Sequence, residues 1–378
     1  MKEQINHEIE VQKINNVIDF YMLANNLKYK QKLDLHQSVA DHIYGTMILA
    51  TAINSEYRVT NNLGKILRMI LLSEMRNEPE NLFNECINNL SKRKKYLKEI
   101  QICNINYMSS YYYQDVEFIR FCKSLDIWMC KFLNEFLVHN KIEETDYKSL
   151  YKLAKETGYF VDWNFNENLE IFRFYCLNNK LKNKIRSGWD LNHWNITNDR
   201  IERISEHVVG TIALACALNS EFDFDINLDD VISTLCIHEV GEITIGDITP
   251  FDGITPEEKK TIEHKAIIDV IGNLTAKDEM INSIFEFDER KTNNAKFSHY
   301  CDKLEADIQA KVYQDMGCHH PLTEQENNVA FKSSRVQKMI EEGASTAFDI
   351  WYEWDKSIYT DSPIFTKTLK YVKDTKIK

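Results

Sequence analysis

The chain repeats itself, and an internal repeat constrains a fold more than any single motif. One segment, ADHIYGTMILATAINSEY, starts at Ala40; a second, SEHVVGTIALACALNSEF, starts at Ser205. Placing His42 on His207 sets an offset of 165 residues and brings Gly45 onto Gly210 and Asn54-Ser55-Glu56 onto Asn219-Ser220-Glu221. The same offset puts Ser73 on His238 and Glu74 on Glu239. Upstream, FYMLANNLK from Phe20 matches FYCLNNKLK from Phe174. Downstream, FCKSLD from Phe121 matches YCDKLE from Tyr300 and places Lys123 on Asp302. A series of matches in one order points to duplication. The chain therefore divides into a first unit over 1–145, a connecting helix and turn over 146–170, a second unit over 171–320, and a C-terminal helical extension and tail over 321–378. Two copies on one chain are expected to pair as an intrachain pseudo-dimer, with a homo-oligomer as the other arrangement.

The hydrophobic spacing is helical throughout, so the fold class is all-α, as tandem helical domains. Helices are expected near 9–28, 38–54, 62–76 and 113–139. In the second copy, Ile212, Ala215 and Cys216 share a face, and Val231, Leu235 and His238 recur at four and three residues. Thr255-Pro256-Glu257-Glu258 reads as a capping box with Pro at the first helical position, opening a helix that runs to about Gly272. Thr275 with Asp278 suggests another start, and HYCDKLEADIQAKVYQDM a long helix with Asp302 near its beginning. AFDIWYEWDKSIY reads as packing at a junction, and KTLKYVKDTKIK as a solvated tail.

The formal charge of −12 disfavours a surface for nucleic acid, which needs clustered Lys and Arg. A small phosphorylated ligand remains open, because one Arg and a metal ion can hold it locally. No run approaches the roughly 20 apolar residues of a membrane span, and MKEQINHEIE lacks the apolar run of a secretory signal. A cytoplasmic protein without membrane attachment is expected.

Two imidazoles and two carboxylates, His207, His238, Glu239 and Asp302, make a sound ligand set for a borderline or hard divalent cation such as Mn, Co, Ni, Fe or Mg. Taken singly each has a plainer reading. A histidine like His207 is more often a core or capping residue, His238 can pair with its neighbouring acid, and Asp302 can be helix-surface charge. Their joint occurrence around a Gly-Asp loop favours the site. Glu242 and Asp247 follow closely, placed to orient a water or protonate a leaving oxygen.

Copy two resembles the HD-domain metal phosphohydrolases, particularly their 5'-deoxynucleotidase-like branch. The likeness runs from about Ile185 to Gly317, through IRSGW at 185–189, ERISEH at 202–207, HEVGE at 238–242, GDITP at 246–250 and CDKLEA at 301–306. It implies metal ligation by His207, His238, the acid at 239 and Asp302, with Glu242 and Asp247 assisting catalysis. It also implies that Arg186 and Trp189 contact substrate, a small phosphorylated nucleotide losing its 5'-phosphate. Arg186 has a rationale of its own, since a guanidinium can take two phosphate oxygens at once. The alternatives are hydrolysis of nucleoside triphosphates or another phosphate ester, or a catalytically decayed nucleotide sensor.

Two departures stand out. The family's His-Asp pair is His238-Glu239 here, which lengthens one ligand by a methylene. Copy one, read as a degenerate HD-like domain, has Ser73 and Lys123 where ligands are needed, and Lys123 is free to pair with Glu74. The segment from Asp190 to Arg200 is expected to reshape the pocket around Trp189 and Trp194.

Overall fold

The computed structural model describes residues 2–32, 37–104, 110–139, 147–149, 152, 168–190, 194–196, 201–325 and 328–377. Most of the connecting stretch 146–170 lies outside them. In chain order the helices are α1 (Lys2–Asn25), α2 (Val39–Tyr57), α3 (Leu63–Met75), α4 (Glu80–Asn89), α5 (Arg93–Asn104), α6 (Ser110–His139), α7 (Leu169–Asn179), α8 (Ser187–Asp190) and α9 (Ile204–Glu221). There follow α10 (Leu228–Ile237), α11 (Glu242–Ile245), α12 (Pro256–Ile271), α13 (Lys277–Glu289), α14 (Asn293–Asp315), α15 (Ser334–Glu341), α16 (Ala347–Asp355) and α17 (Pro363–Asp374). Short 3-10 turns extend α1 over Asn26–Lys28 and α7 over Lys180–Lys182. Among the described residues the regular strands are a two-residue antiparallel pair, Gln31–Lys32 with Gln37–Ser38.

Helices α2 and α9 form the centre. The first is buried from Ala40 through Ser55 and the second from Ile204 through Glu221, as a helix apolar on every side must be. Each begins with an acid that accepts the entering backbone N–H: Asp41 from Ser38, and Glu206 from Arg203. The two starts abut, because Asp41 also accepts from Ser205 Oγ at 2.6 Å and from Arg203 Nη1 at 2.8 Å.

The halves interleave. Helix α1 packs on α9, α7 packs on α2, and α3 packs on α10, while α6 and α14 close against α2 and α9 respectively. Residues matched in the sequence repeat make matching contacts across this arrangement. Tyr21 OH donates to Glu305 at 2.7 Å, and Tyr175 OH to Asp126 at 2.6 Å. Lys28 Nζ lies 2.7 Å from Glu305, and Lys182 Nζ 2.8 Å from Asp126. His207 Nδ1 lies 2.5 Å from Glu305, and His42 Nδ1 2.7 Å from Asp126.

Gly45 and Gly210 make this close approach possible. A Cβ at Gly45 would overlap Asp126 Oδ1 and Lys182 Nζ, and one at Gly210 would overlap Glu305 Oε1. Gly45→Ala is therefore expected to destabilise the protein. Helix propensity favours Ala by about 1 kcal/mol, but displacing Asp126 from a buried ion pair costs about 3–5 kcal/mol. Urea unfolding checks the sign, and a variant as stable as wild type would show that Asp126 moves aside freely.

Several sequence expectations change in detail. Helices α4 and α5 were not anticipated, because their polar runs hide the few apolar anchors, Phe83, Ile87 and Tyr96. The capping box of Thr255 with Glu258 is present, whereas Thr275 does not cap a helix. Its amide and hydroxyl instead donate to Glu56, at 2.6 and 2.9 Å. Asp302 lies well inside α14, which starts at Asn293. The lysine-rich end folds as α17, with Phe365, Leu369 and Val372 buried.

Candidate metal centre

The four predicted ligands come from three helices. His207 projects from the first turns of α9, Asp302 from α14, and His238 and Glu239 from the end of α10. Helix α10 is set by its start: the Asn227 side chain accepts from Asp229 N–H, and Asp229 and Asp230 lie in the first turn, where acids suit the helix dipole. It stops at His238, and turns linked by Glu242 N–H to Glu239 O carry the chain into α11. Gly246, at φ +80°, then reverses the backbone. That reversal brings Asp247 back to α8, where its carboxylate accepts from Ser187 N–H at 2.8 Å.

One ligand atom from each of His207, His238, Glu239 and Asp302 lies within 4.8 Å of all the others. His207 Nε2 is 3.0 Å from Asp302 Oδ1 and 3.5 Å from Glu239 Oε1, and His238 Nε2 is 3.5 Å from Glu239 Oε1. Each imidazole is oriented through its other nitrogen. His207 Nδ1 faces Glu305 Oε2, and His238 Nδ1 faces Leu235 O at 2.7 Å. With their Nδ1 atoms turned to these acceptors, both Nε2 atoms point inward, the usual outer support of a metal-bound histidine. His238 Nε2 is buried with no hydrogen-bond partner among the described residues. A buried polar atom left this way is costly, and a divalent cation is the partner the donor set fits.

The electrostatics agree. Burial and Arg186 lower the basicity of the His207 ring, yet Glu305 and Asp302 carry its pKa up to about 9. A field that favours positive charge at that point also favours a cation. Burial would raise Asp302, but Lys303 and His207 hold its carboxyl well below the usual range. Glu242 goes the other way: burial, then Glu239 and Asp247, push its carboxyl well above that range.

A cavity of about 640 Å³ opens beside the cluster and is lined by Arg186, Glu242 and Asp247. Arg186 lies in the field of Glu239, Asp247 and Asp302, and its buried Nη1 has no hydrogen-bond partner among the described residues. Trp189 also borders the cavity, but as packed wall. It is 3% exposed, stacks on Trp351 at 4.8 Å, and donates its Nε1–H to Glu202. Trp194 meets it edge-on at 5.5 Å; residues 191–193 and 197–200 lie outside the described residues. The far wall comes from the C-terminal segment through Phe331, Trp351 and Trp354, so the aromatic cluster there faces the cavity. A Cβ at Gly188 would press on Trp351.

Three buried residues escaped the sequence reading: Glu305, Glu202 and Lys28. Glu305 carried a usable signal, since it lies one turn beyond Asp302 and its counterpart Asp126 is also an acid. The equivalent place in the first half is filled differently. Lys123 Nζ lies 2.5 Å from Glu74 and donates to Ser73 Oγ at 2.8 Å. Burial would raise Glu74, yet Lys123 and Lys32 draw its pKa down to about 2.

A helical fold that gathers two histidines and two acids beside a cavity forms a candidate divalent-metal centre. The HD domain family profile matches residues 178–345. The 5'-deoxynucleotidase HDDC2 of Dictyostelium discoideum is 32% identical over 150 residues, spanning 37% of this chain and 76% of that protein. The 5'-deoxynucleotidase hdd1 of Schizosaccharomyces pombe is 29% identical over 159 residues, 40% of this chain and 76% of its own. The human HDDC2 is 28% identical over 148 residues, 39% and 69% respectively. The chain belongs to the HD-domain phosphohydrolase family, related over part of its length to the 5'-deoxynucleotidase branch. No helix among the described residues is long and apolar enough to cross a membrane.

Proposed function

We propose that this chain removes the 5'-phosphate from (deoxy)nucleoside monophosphates with a divalent metal ion held by His207, His238, Glu239 and Asp302. The observation that carries the reading is a convergence: the four-residue cluster and Arg186, whose buried Nη1 has no hydrogen-bond partner among the described residues, face one cavity. When bound, the cation would supply Lewis-acid stabilisation of phosphoryl charge and a more acidic water. Arg186 grips the phosphate oxygens as a fork. Glu242 and Asp247 act at the cavity edge, one orienting the attacking water and the other protonating the leaving oxygen. The Trp189 and Trp351 stack shapes the wall against which the nucleoside lies, and the likeness to 5'-deoxynucleotidases supports a nucleotide there. The first half is a second HD-like helical unit without a metal ion, because Lys123 already supplies a positive charge beside Glu74.

A metal-supplemented panel of nucleoside mono- and triphosphates tests the reading. Inorganic phosphate released from monophosphates is expected; release of pyrophosphate or triphosphate from triphosphates alone would replace it with a different hydrolase. Glu239→Asp is expected to keep turnover with an altered order of preferred cations, since it restores the His-Asp pair and shortens one ligand by a single methylene. Kinetics across Mn, Co, Ni and Mg check this. A folded but inactive Glu239→Asp would show that this cavity needs the longer carboxylate.

A further inference from the structure

We infer that Lys28, at the end of the first helix, is a positioning residue for the metal centre in the other half of the chain. Its ammonium is buried and held by two carboxylates, Glu202 and Glu305, with Gln309 Oε1 at 3.3 Å and Tyr21 OH at 3.5 Å. Each carboxylate spends its second oxygen on a ring of the candidate site. Glu305 Oε2 takes His207 Nδ1 at 2.5 Å, and Glu202 Oε2 takes the Trp189 Nε1–H at 2.8 Å. One cation thus fixes the acid that aims a metal ligand and the acid that sets the cavity wall. Without it, the carboxylates of Glu202 and Glu305, which lie within 4.8 Å of each other, lose the cation between them, and their repulsion displaces one and frees the ring it holds.

The first half contains a matched control. Lys182 Nζ is equally buried, lies 2.8 Å from Asp126 and 3.4 Å from Tyr175 OH, and Asp126 holds His42 Nδ1. There, however, Ser73 and Lys123 stand where ligands would be needed, so Lys182 supports packing with no metal centre behind it. A purely structural Lys28 would behave as Lys182 does.

The inference rests on the metal-centre reading, and its test uses the full chain with Mn(II) alone as probe. Wild type, Lys28→Met, Lys28→Arg and Lys182→Met are compared by calorimetric titration, thermal unfolding and, where turnover exists, kcat and KM. Both Met variants are expected to lose thermal stability. Lys28→Met alone is expected to weaken Mn(II) affinity, by about 10- to 100-fold as for other outer partners of ligands, and Lys28→Arg to recover most of that loss. If Lys28→Met does not fold, Lys28→Gln, which keeps a donor but no charge, carries the comparison. Unchanged Mn(II) affinity in folded Lys28→Met, or in Lys28→Gln where it stands in, overturns the assignment, as does an equal loss in Lys182→Met. Absence of phosphate release by wild type would instead remove the hydrolytic reading, while the Mn(II) titration still decides for or against Lys28.

Discussion

Asp302→Asn leaves a folded chain whose metal affinity and phosphate release both fall by at least about 100-fold, the upper end of what even the outer partners of ligands cost. The substitution keeps the shape of the side chain and changes its charge. Asp302 Oδ1 sits 3.0 Å from His207 Nε2, and Oδ2 lies 3.2 Å from Lys303. An amide there is a poor ligand for a hard cation, and Lys303 and Arg186 would be left beside a centre with one acid instead of two. Circular dichroism should report an intact helical protein, while metal analysis after dialysis and a phosphate assay report the losses. Turnover equal to wild type would remove Asp302 from the centre and, with it, the proposed ligand set.

The sequence pointed to this cluster because its candidate ligands are chemically distinctive and keep a family order. His238 and Glu239 are adjacent, His207 recurs in a repeat, and Asp302 sits in CDKLEA. It revealed the central helices because an unbroken apolar helix has few other places to go. The supports of the centre were hidden for a physical reason. A lysine or glutamate is by default a surface residue, and only the interleaving of α1 with α9 buries Lys28 between Glu202 and Glu305. That interleaving depends on contacts hundreds of residues apart, which local periodicity does not contain. The end of the chain misled for a related reason. Phe365, Leu369 and Val372 keep a helical spacing, but the surrounding lysines dominate the composition while their aliphatic stems can lie along the covered face. The aromatic cluster of α16 could be seen in the sequence; the cavity it walls could not.

Arg186→Ala separates binding of substrate from binding of metal, because the two should respond in opposite directions. The guanidinium is largely buried, its Nη1 lacks a protein partner, and the acids around it are Glu239, Asp247 and Asp302. If its task is to hold the phosphate, truncation loses a charge-assisted, two-pronged contact worth about 2 kcal/mol or more, or roughly 30-fold in kcat/KM. Its removal also takes a positive charge from beside two metal-binding acids, so cation affinity should stay equal or rise. Asp302→Asn loses both properties together. Arg186→Lys should recover little turnover, since a point charge cannot reproduce the planar fork. Steady-state kinetics on a nucleoside monophosphate, paired with Mn(II) titration of the same preparations, measure both quantities. A variant that loses metal along with turnover would make Arg186 a support of the centre, and the phosphate would need another partner in the cavity.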